Sequence, residues 1–525
     1  MADLIVRGGT IVDGSGGEPY PADVVVSGGR IVEIGRPGPT DAAELDASGL
    51  FVAPGFIDVH SHSDYTLLVD PRAVSAVHQG VTLEVIGNCG HGCFPVRDRE
   101  LARNAIYGYD EAVPLAWSGA HEYFDALERA RPAVNVLSLV PNGQLRLDAV
   151  GLRQRPATRD ELRDMEARLS ESLEEGAWGL STGLEYATEA GVPEEEIESL
   201  CRVVARVGGL YATHTRKRDD GAAGAVVEAV RTAERAGVRL QVSHLVPRSG
   251  LEEGERCIEV VEEAAGRGLD VAFDMHTRLF GFTYLPTALP AWALEGGPRA
   301  LEQLLREPRA RERMKRHESI LSAGSDWGRI VLLDNDVWPQ QSRRDVASIS
   351  AERGQDPLDT VYDLLLEGAD GMHRLMVMIH CYTEEQQLQA FTHPLCMPGS
   401  DATTLAPDGR LAGLVFHGAY TWAAWFYRFM VRQTRTLTAP DAIRRLTSLP
   451  AERLGLGERG LLRVGAFADL AIFDPETFGE VATTFAPNQL AAGMRHVVIN
   501  GSLTLANGVL TGVRAGSVLR RGGGG

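Results

Sequence analysis

The stretch Phe51-Val-Ala-Pro-Gly-Phe-Ile-Asp-Val-His60-Ser-His62-Ser-Asp64 sets two imidazoles one residue apart at the end of an apolar run. Side chains of a β-strand alternate faces, so a strand over 56–62 points His60 and His62 the same way, where they can share one metal ion. Pro54-Gly55 starts that strand, and Ile57 and Val59 fall on the opposite, core-facing side. Alone, His-x-His reads more readily as a pair of surface histidines near a loop, because ligand sets need three or four members. The rest of the chain decides between the two.

Strand-like runs recur at Val81 to Gly87, Val134 to Val140, Gly179 to Gly183, Leu210 to His214, Leu240 to His244, Leu269 to Asp274 and Leu395 to Asp401. Helical patterns separate most of them, including Arg159 to Glu175, Glu194 to Val207 and Ala222 to Ala236, with apolar residues at three- and four-residue spacing. This alternation predicts an α/β chain whose units close into a (β/α)8 TIM-like barrel. Residues 280–370 lack a clean strand and carry Pro, Trp and charge clusters, which predicts an insertion acting as a lid over the barrel mouth. Residues 4–34, and later Gly465 to Asp474 and Val497 to Gly501, are short β-branched runs broken by glycine. The two chain ends are expected to form one small β-sandwich domain. The expected division is 1–53 in that domain, 54–441 in the barrel with its insertion, and 442–525 in a last barrel helix and the rest of the sandwich.

Composition narrows the function classes. The formal net charge of -19, with acidic runs such as Glu194 to Glu198, repels polyanions and argues against nucleic acid. Six cysteines without framework spacing read as reduced intracellular thiols. The opening Met-Ala-Asp-Leu-Ile-Val enters a strand pattern at once, and no run is long enough to cross a bilayer, so a cytoplasmic protein without membrane contact is expected. The expected partner is a small molecule, and the sequence leaves a homo-oligomer open.

Barrel enzymes collect function at the carboxyl ends of their strands. His60 and His62 end the first expected strand, Cys89 in Gly87-Asn-Cys-Gly90 follows the second, and His214, His244 and Asp401 end the fifth, sixth and eighth. Imidazole, thiolate and carboxylate are the donors zinc takes, at about 2.0–2.3 Å. Singly, each has a plainer role: Cys89 a small buried residue in a tight turn, either histidine a core residue, Asp401 a helix cap. Their common placement outweighs those readings.

With these motifs assembled, the chain resembles the metal-dependent amidohydrolase superfamily, in its N-acyl-D-amino-acid deacylase (D-aminoacylase) branch. Pro54 to His62, Gln79-Gly-Val-Thr82, Gly87 to Gly90, Ser181 to Tyr186, Tyr211 to Arg216, Ser243-His244, Gly399-Ser-Asp401 and Arg459 to Asp469 carry the resemblance. It implies a zinc-dependent enzyme with one or two ions that hydrolyses a linear acyl-amide bond, N-acyl-D-amino acids being the leading substrates. Cys89, His214 and His244 would then hold the tight metal and His60 and His62 a second. Asp401, beside the metal and counted among its ligands, would be the general base and acid. Glu185 and Tyr186 would contact substrate, or Glu185 would bridge metals. The chain departs from the family at Pro141-Asn142-Gly143, Leu245, His276-Thr-Arg278 and His417-Gly-Ala-Tyr420, which removes an arginine suited to a substrate carboxylate. Arg216 and Arg278 are the cations expected in its place. A cyclic-amide hydrolase of the hydantoinase or dihydroorotase type stands as the alternative, though Gly179 to Glu185 lacks the bridging lysine usual there. A non-catalytic scaffold on the same fold would have no need of Asp401 or the full donor set.

Overall fold

Short β-branched strands need partners along both edges, and the two ends of this chain supply each other's. In the computed structural model, which describes residues 3–38, 41–103, 106–186, 188–294, 296–322, 325–335, 337–368 and 375–522, they build one mixed nine-stranded sheet. Its order is Val509–Leu510, Ser502–Ala506, Met494–Ile499, Leu470–Phe473, Phe51–Pro54, Leu4–Ile11, Tyr20–Ser27, Arg30–Gly35, with Ala43–Asp46 also pairing Leu4–Ile11. The seam is the antiparallel pairing of Phe51–Pro54 with Leu470–Phe473, in which Val52 faces Ile472. Val6, Val24, Val52, Leu470, Ile472 and Val498 bury against one another there, each worth roughly 1.5–3 kcal/mol of removed apolar surface.

The deciding stretch therefore serves two sheets. After Gly55 it re-enters extended structure as Phe56–Asp58, which pairs in parallel with Val81–Ile86, itself parallel to Asn135–Ser138. A second parallel sheet holds Val140–Pro141, Gly179–Gly183, Leu210–His214, Arg239–Val242, Val271–His276 and Cys396–Gly399 in spatial order. The two sheets meet at both edges. Asn135–Ser138 continues into Val140–Pro141 across Leu139, whose N–H donates to the Ile86 carbonyl at 2.9 Å. At the other edge Asp401 N–H donates to His60 O and His62 N–H to Ala402 O, both at 2.8 Å, around a parallel bridge between Ser61 and Ala402. Helices Arg159–Glu174, Glu194–Arg206, Ala222–Ala236 and Leu251–Gly266 connect successive strands. The first of these starts at a reciprocal cap in which Thr158 and Glu161 each accept from the other's backbone N–H.

Several strands differ from expectation, the sixth ending at Val242 and the eighth spanning only Cys396–Gly399, and for the first and seventh the local reason is plain. The first ends at Asp58 because His60 N–H leaves the ladder for Asp58 Oδ1 at 3.2 Å. The seventh starts at Val271 because Leu269 N–H bonds Ala264 O at the end of the preceding helix, and it runs on to His276. The stretch expected to lack strands contains two, Phe280–Tyr284 and Ile330–Leu332, which pair on either side of Met376–His380, just beyond it, in an antiparallel sheet. These strands escape periodicity because one is three residues long and another carries Gly281 next to its start. Leu285, Leu301, Leu305, Ile349, Val361 and Val377 give this insertion a core of its own. Among the described residues no helix is long and apolar enough to cross a membrane.

Candidate metal centre

Cys89 is presented by a turn that only small flanking residues permit. Gly87 and Gly90 have φ of +78° and +69°; a Cβ would lie 2.2 Å from Leu139 O at the first and 1.9 Å from Glu189 Oε1 at the second. Cys89 itself has φ +53°, His244 +35° and Asp401 +44°, conformations that cost an L-residue about 1–2 kcal/mol each. Strain of this kind gathers where a side chain must be aimed. Here the aim is fixed by the Asp401 N–H bond to His60 O and by a 2.8 Å bond from His244 N–H to Asp274 Oδ1.

The strands converge these side chains on one point. One donor atom each from His60, Cys89, His244 and Asp401 lies within 4.8 Å of all the others. His60 Nε2 stands 3.2 Å and His244 Nε2 3.4 Å from Cys89 Sγ, and His60 Nε2 is 3.5 Å from Asp401 Oδ1. His62 borders the group, its Nε2 3.3 Å from Asp401 Oδ1. His214 borders it on the other side, its ring 4.6 Å from that of His244 while its Nε2 meets Glu185 Oε2 at 2.9 Å. The gathered set therefore contains His60 where the resemblance puts His214. The Tyr186 ring lies 4.6 Å from the rings of both His91 and His214.

Burial would push the Cys89 thiol up, but the charge of His60 and hydrogen bonds from His214 and His244 hold it well below the usual range. His244 is pushed down to about 4 by burial and then by the positive charge of Arg218, leaving a neutral imidazole. Burial opposes ionisation of Asp401 too, yet its His62 hydrogen bond and the Arg278 guanidinium hold it well below the ordinary carboxylate range. Burial and then Arg278 keep His276 neutral.

Four arginines surround this cluster on loops that follow the strand ends. Arg216 is clasped by Glu228, with Nη2 to Oε1 at 2.8 Å, and also bonds Val192 O. Arg248 pairs with Glu185 through both terminal nitrogens. Arg278 Nη2 meets Asp401 Oδ2 at 2.9 Å, and its fork also takes the carbonyls of Ser400 and Asp401. Arg216 and Arg278, the cations expected to await a substrate carboxylate, thus already hold carboxylates of the chain itself. Arg218 holds none among the described residues.

Sequence reasoning missed Asp274, Arg218 and Arg248. Asp274 Oδ1 accepts from His60 Nδ1 at 2.9 Å as well as from His244 N–H, and Oδ2 accepts from Gln241 Nε2 at 2.9 Å. Its signal was present: one carboxylate in the apolar run Val271-Ala-Phe-Asp-Met, on the same face as His276. His417, by contrast, bonds Thr484 O and stacks on Phe282 at 4.1 Å, apart from the donor group.

Two imidazoles, a thiolate and a carboxylate around one point form a donor set suited to zinc. Nδ1 of His214 and of His244 are buried without a hydrogen-bond partner among the described residues. Asp274 on His60 Nδ1 is the outer-shell carboxylate that ligating histidines usually carry. Fold and site together define an α/β protein with a buried metal-type centre at its parallel strand ends. A profile of the amidohydrolase family matches residues 43–318 and 393–504, and the chain belongs to that family. It is 32% identical to N-acyl-D-glutamate deacylase of Alcaligenes xylosoxydans xylosoxydans, over 99% of this chain and 96% of the relative. It is 31% identical to D-aminoacylase of the same organism, over 99% and 98%. The crystal structure of N-acyl-D-glutamate deacylase from Bordetella bronchiseptica superposes with a TM-score of 0.81, at 30% identity and 99% coverage of both chains. That protein was crystallised with zinc and a phosphonate inhibitor that mimics the tetrahedral intermediate of its reaction.

Proposed function

We propose that this protein is a zinc-dependent amidohydrolase that cleaves the linear acyl-amide bond of N-acyl-D-amino acids, releasing a carboxylate and a D-amino acid. The observation that carries this reading is the convergence of His60, Cys89, His244 and Asp401 on one point, in a chain whose full length matches named deacylases. His60, Cys89, His244 and Asp401 would hold one zinc ion; His62 and His214, at the borders of the group, would serve a second. Bound there, zinc would acidify a water molecule and polarise the amide carbonyl. Asp401, kept ionised by His62 and Arg278, is the group that accepts the water proton and returns it to the leaving nitrogen. Asp274 fixes the His60 ring by accepting from Nδ1, which leaves Nε2 for the metal. Glu185 plays the same part at His214 and draws Arg248 with it.

The two edge contacts between the parallel sheets support closure of the eight strands into a (β/α)8 barrel, with 54–441 as its extent. The strand Leu4–Ile11 changes partner from Ala43–Asp46 to Phe51–Pro54 at an irregularity near Gly9, a bend that supports folding of the terminal sheet, 1–53 with 442–525, into a small sandwich. The separate core of the insertion supports reading it as a lid for the barrel mouth. Six unpaired cysteines suit a reducing cytoplasm.

The reading is tested by analysing purified protein for zinc and assaying it against N-acyl amino acids of both hands, simple amides and cyclic imides. Bound zinc and preferential hydrolysis of N-acyl-D-amino acids are expected. Turnover of cyclic imides alone would replace the reading with a hydantoinase-type one.

A further inference from the structure

Of the four arginines around the donor group, three are neutralised by a carboxylate of the chain: Arg216 by Glu228, Arg248 by Glu185 and Arg278 by Asp401. Arg218 is only 6% exposed, yet among the described residues no carboxylate lies within ion-pair distance of it. A guanidinium does not deprotonate in a protein, so this is a buried positive charge with no carboxylate in contact among the described residues, the charges of Glu185 and Asp401 reaching it only from further off. Its hydrogen bonding is lopsided. Nη2 donates to His244 O at 2.6 Å, to Val246 O at 3.1 Å and to the Tyr382 hydroxyl at 2.9 Å. Nε and Nη1 make no hydrogen bond among the described residues. Arg445 shows what a purely structural buried arginine looks like in the same molecule: both of its terminal nitrogens are spent on backbone carbonyls, Nη1 on those of His393 and Cys396 and Nη2 on that of Thr392.

Location adds to this. The first acceptor of Arg218 is the carbonyl of His244, one of the four gathered donors. Tyr382, which steadies the guanidinium, lies just beyond the insertion strand Met376–His380, and its ring is 4.9 Å from that of His276. His276 Nδ1 is buried without a hydrogen-bond partner among the described residues. The charges of Glu185 and Asp401 both act on Arg218, and its own charge acts on His244, which puts it within electrostatic reach of the reacting centre.

We propose that Arg218, steadied by Tyr382, binds the carboxylate of the substrate through the part of its fork left without acceptors, and so selects N-acyl amino acids over neutral amides. This rests on the reading given under Proposed function and assigns its specificity to a residue. The test compares an N-acetyl-D-amino acid with its carboxamide, following acetate release by wild type, Arg218→Met and Arg218→Lys. Calorimetric binding of the N-sulfonyl analogue of the acid, which is not hydrolysed, provides a readout independent of turnover. Arg218→Met is expected to lower kcat/KM for the acid about 10- to 100-fold, mainly through KM, and to weaken analogue binding in parallel, while the carboxamide loses far less. Arg218→Lys should recover part of the loss, since it keeps the charge but not the planar fork, and it carries the test if the methionine variant does not fold. Equal losses on acid and carboxamide, or an acid preference unchanged in both variants, would overturn the inference while leaving the amidohydrolase reading intact. Wild-type protein that releases acetate from the carboxamide but not from the acid would overturn the substrate reading and this inference with it.

Discussion

The donor side and the cation side of the same mouth obey different rules. His60, Cys89, His244 and Asp401 sit at or just past strand ends on short side chains, so backbone position alone decides where their ligand atoms go. Arg216, Arg218, Arg248 and Arg278 sit on loops and reach further through several rotatable bonds, so each position depends on the partner it finds, a carboxylate for three of them and carbonyls and a tyrosine hydroxyl for Arg218. Short side chains on rigid elements are specified locally; long charged ones are specified by their partners.

The sharpest way to break this contrast is at Asp401. Asp401→Asn keeps the shape but cannot carry a proton, so kcat should fall on the order of 10²-fold or more, with zinc content and fold retained. Near-normal turnover would move the proton to Glu185. Cys89→Ala removes the thiolate shared by two imidazoles, and metal analysis should find most of the zinc lost from the purified variant. Retained metal and rate would return Cys89 to a merely structural turn. Asp274→Asn disturbs the donor side from behind, and equilibrium metal titration should show affinity weakened by about 10- to 100-fold. An unchanged affinity would mean that the strand alone aims His60. The smallest effect belongs to the cation side: Arg216→Ala should leave KM for an N-acyl amino acid within about twofold and cost only about 1 kcal/mol of stability, read from thermal unfolding, because its Glu228 pair is partly exposed. A tenfold rise in KM would show that loop arginines exchange partners when substrate arrives.

The same contrast explains what was legible in the sequence. Alternation along a strand and its end were enough to bring forward His60, Cys89, His244 and Asp401, and the parallel strands themselves followed from their apolar runs. Asp274 was legible and overlooked, since a carboxylate within Val271-Ala-Phe-Asp-Met has no solvent to face. Arg218 was not legible: nothing local distinguishes it from Arg216, two residues earlier, and only tertiary packing gives one of them Glu228 and leaves the other without an acid among the described residues. The insertion hid its sheet because strands as short as Ile330–Leu332 have too few residues to display a period.

The seam between Phe51–Pro54 and Leu470–Phe473 also has a consequence in time. During synthesis the strand Phe51–Pro54 leaves the ribosome with one edge unpaired, and its partner follows roughly 400 residues later, some 20–80 s at ordinary elongation rates. For that interval an apolar edge of Phe51, Val52 and Ala53 is a template for strands of other chains. Slowing of translation lengthens that wait and with it the exposure of the unpaired edge.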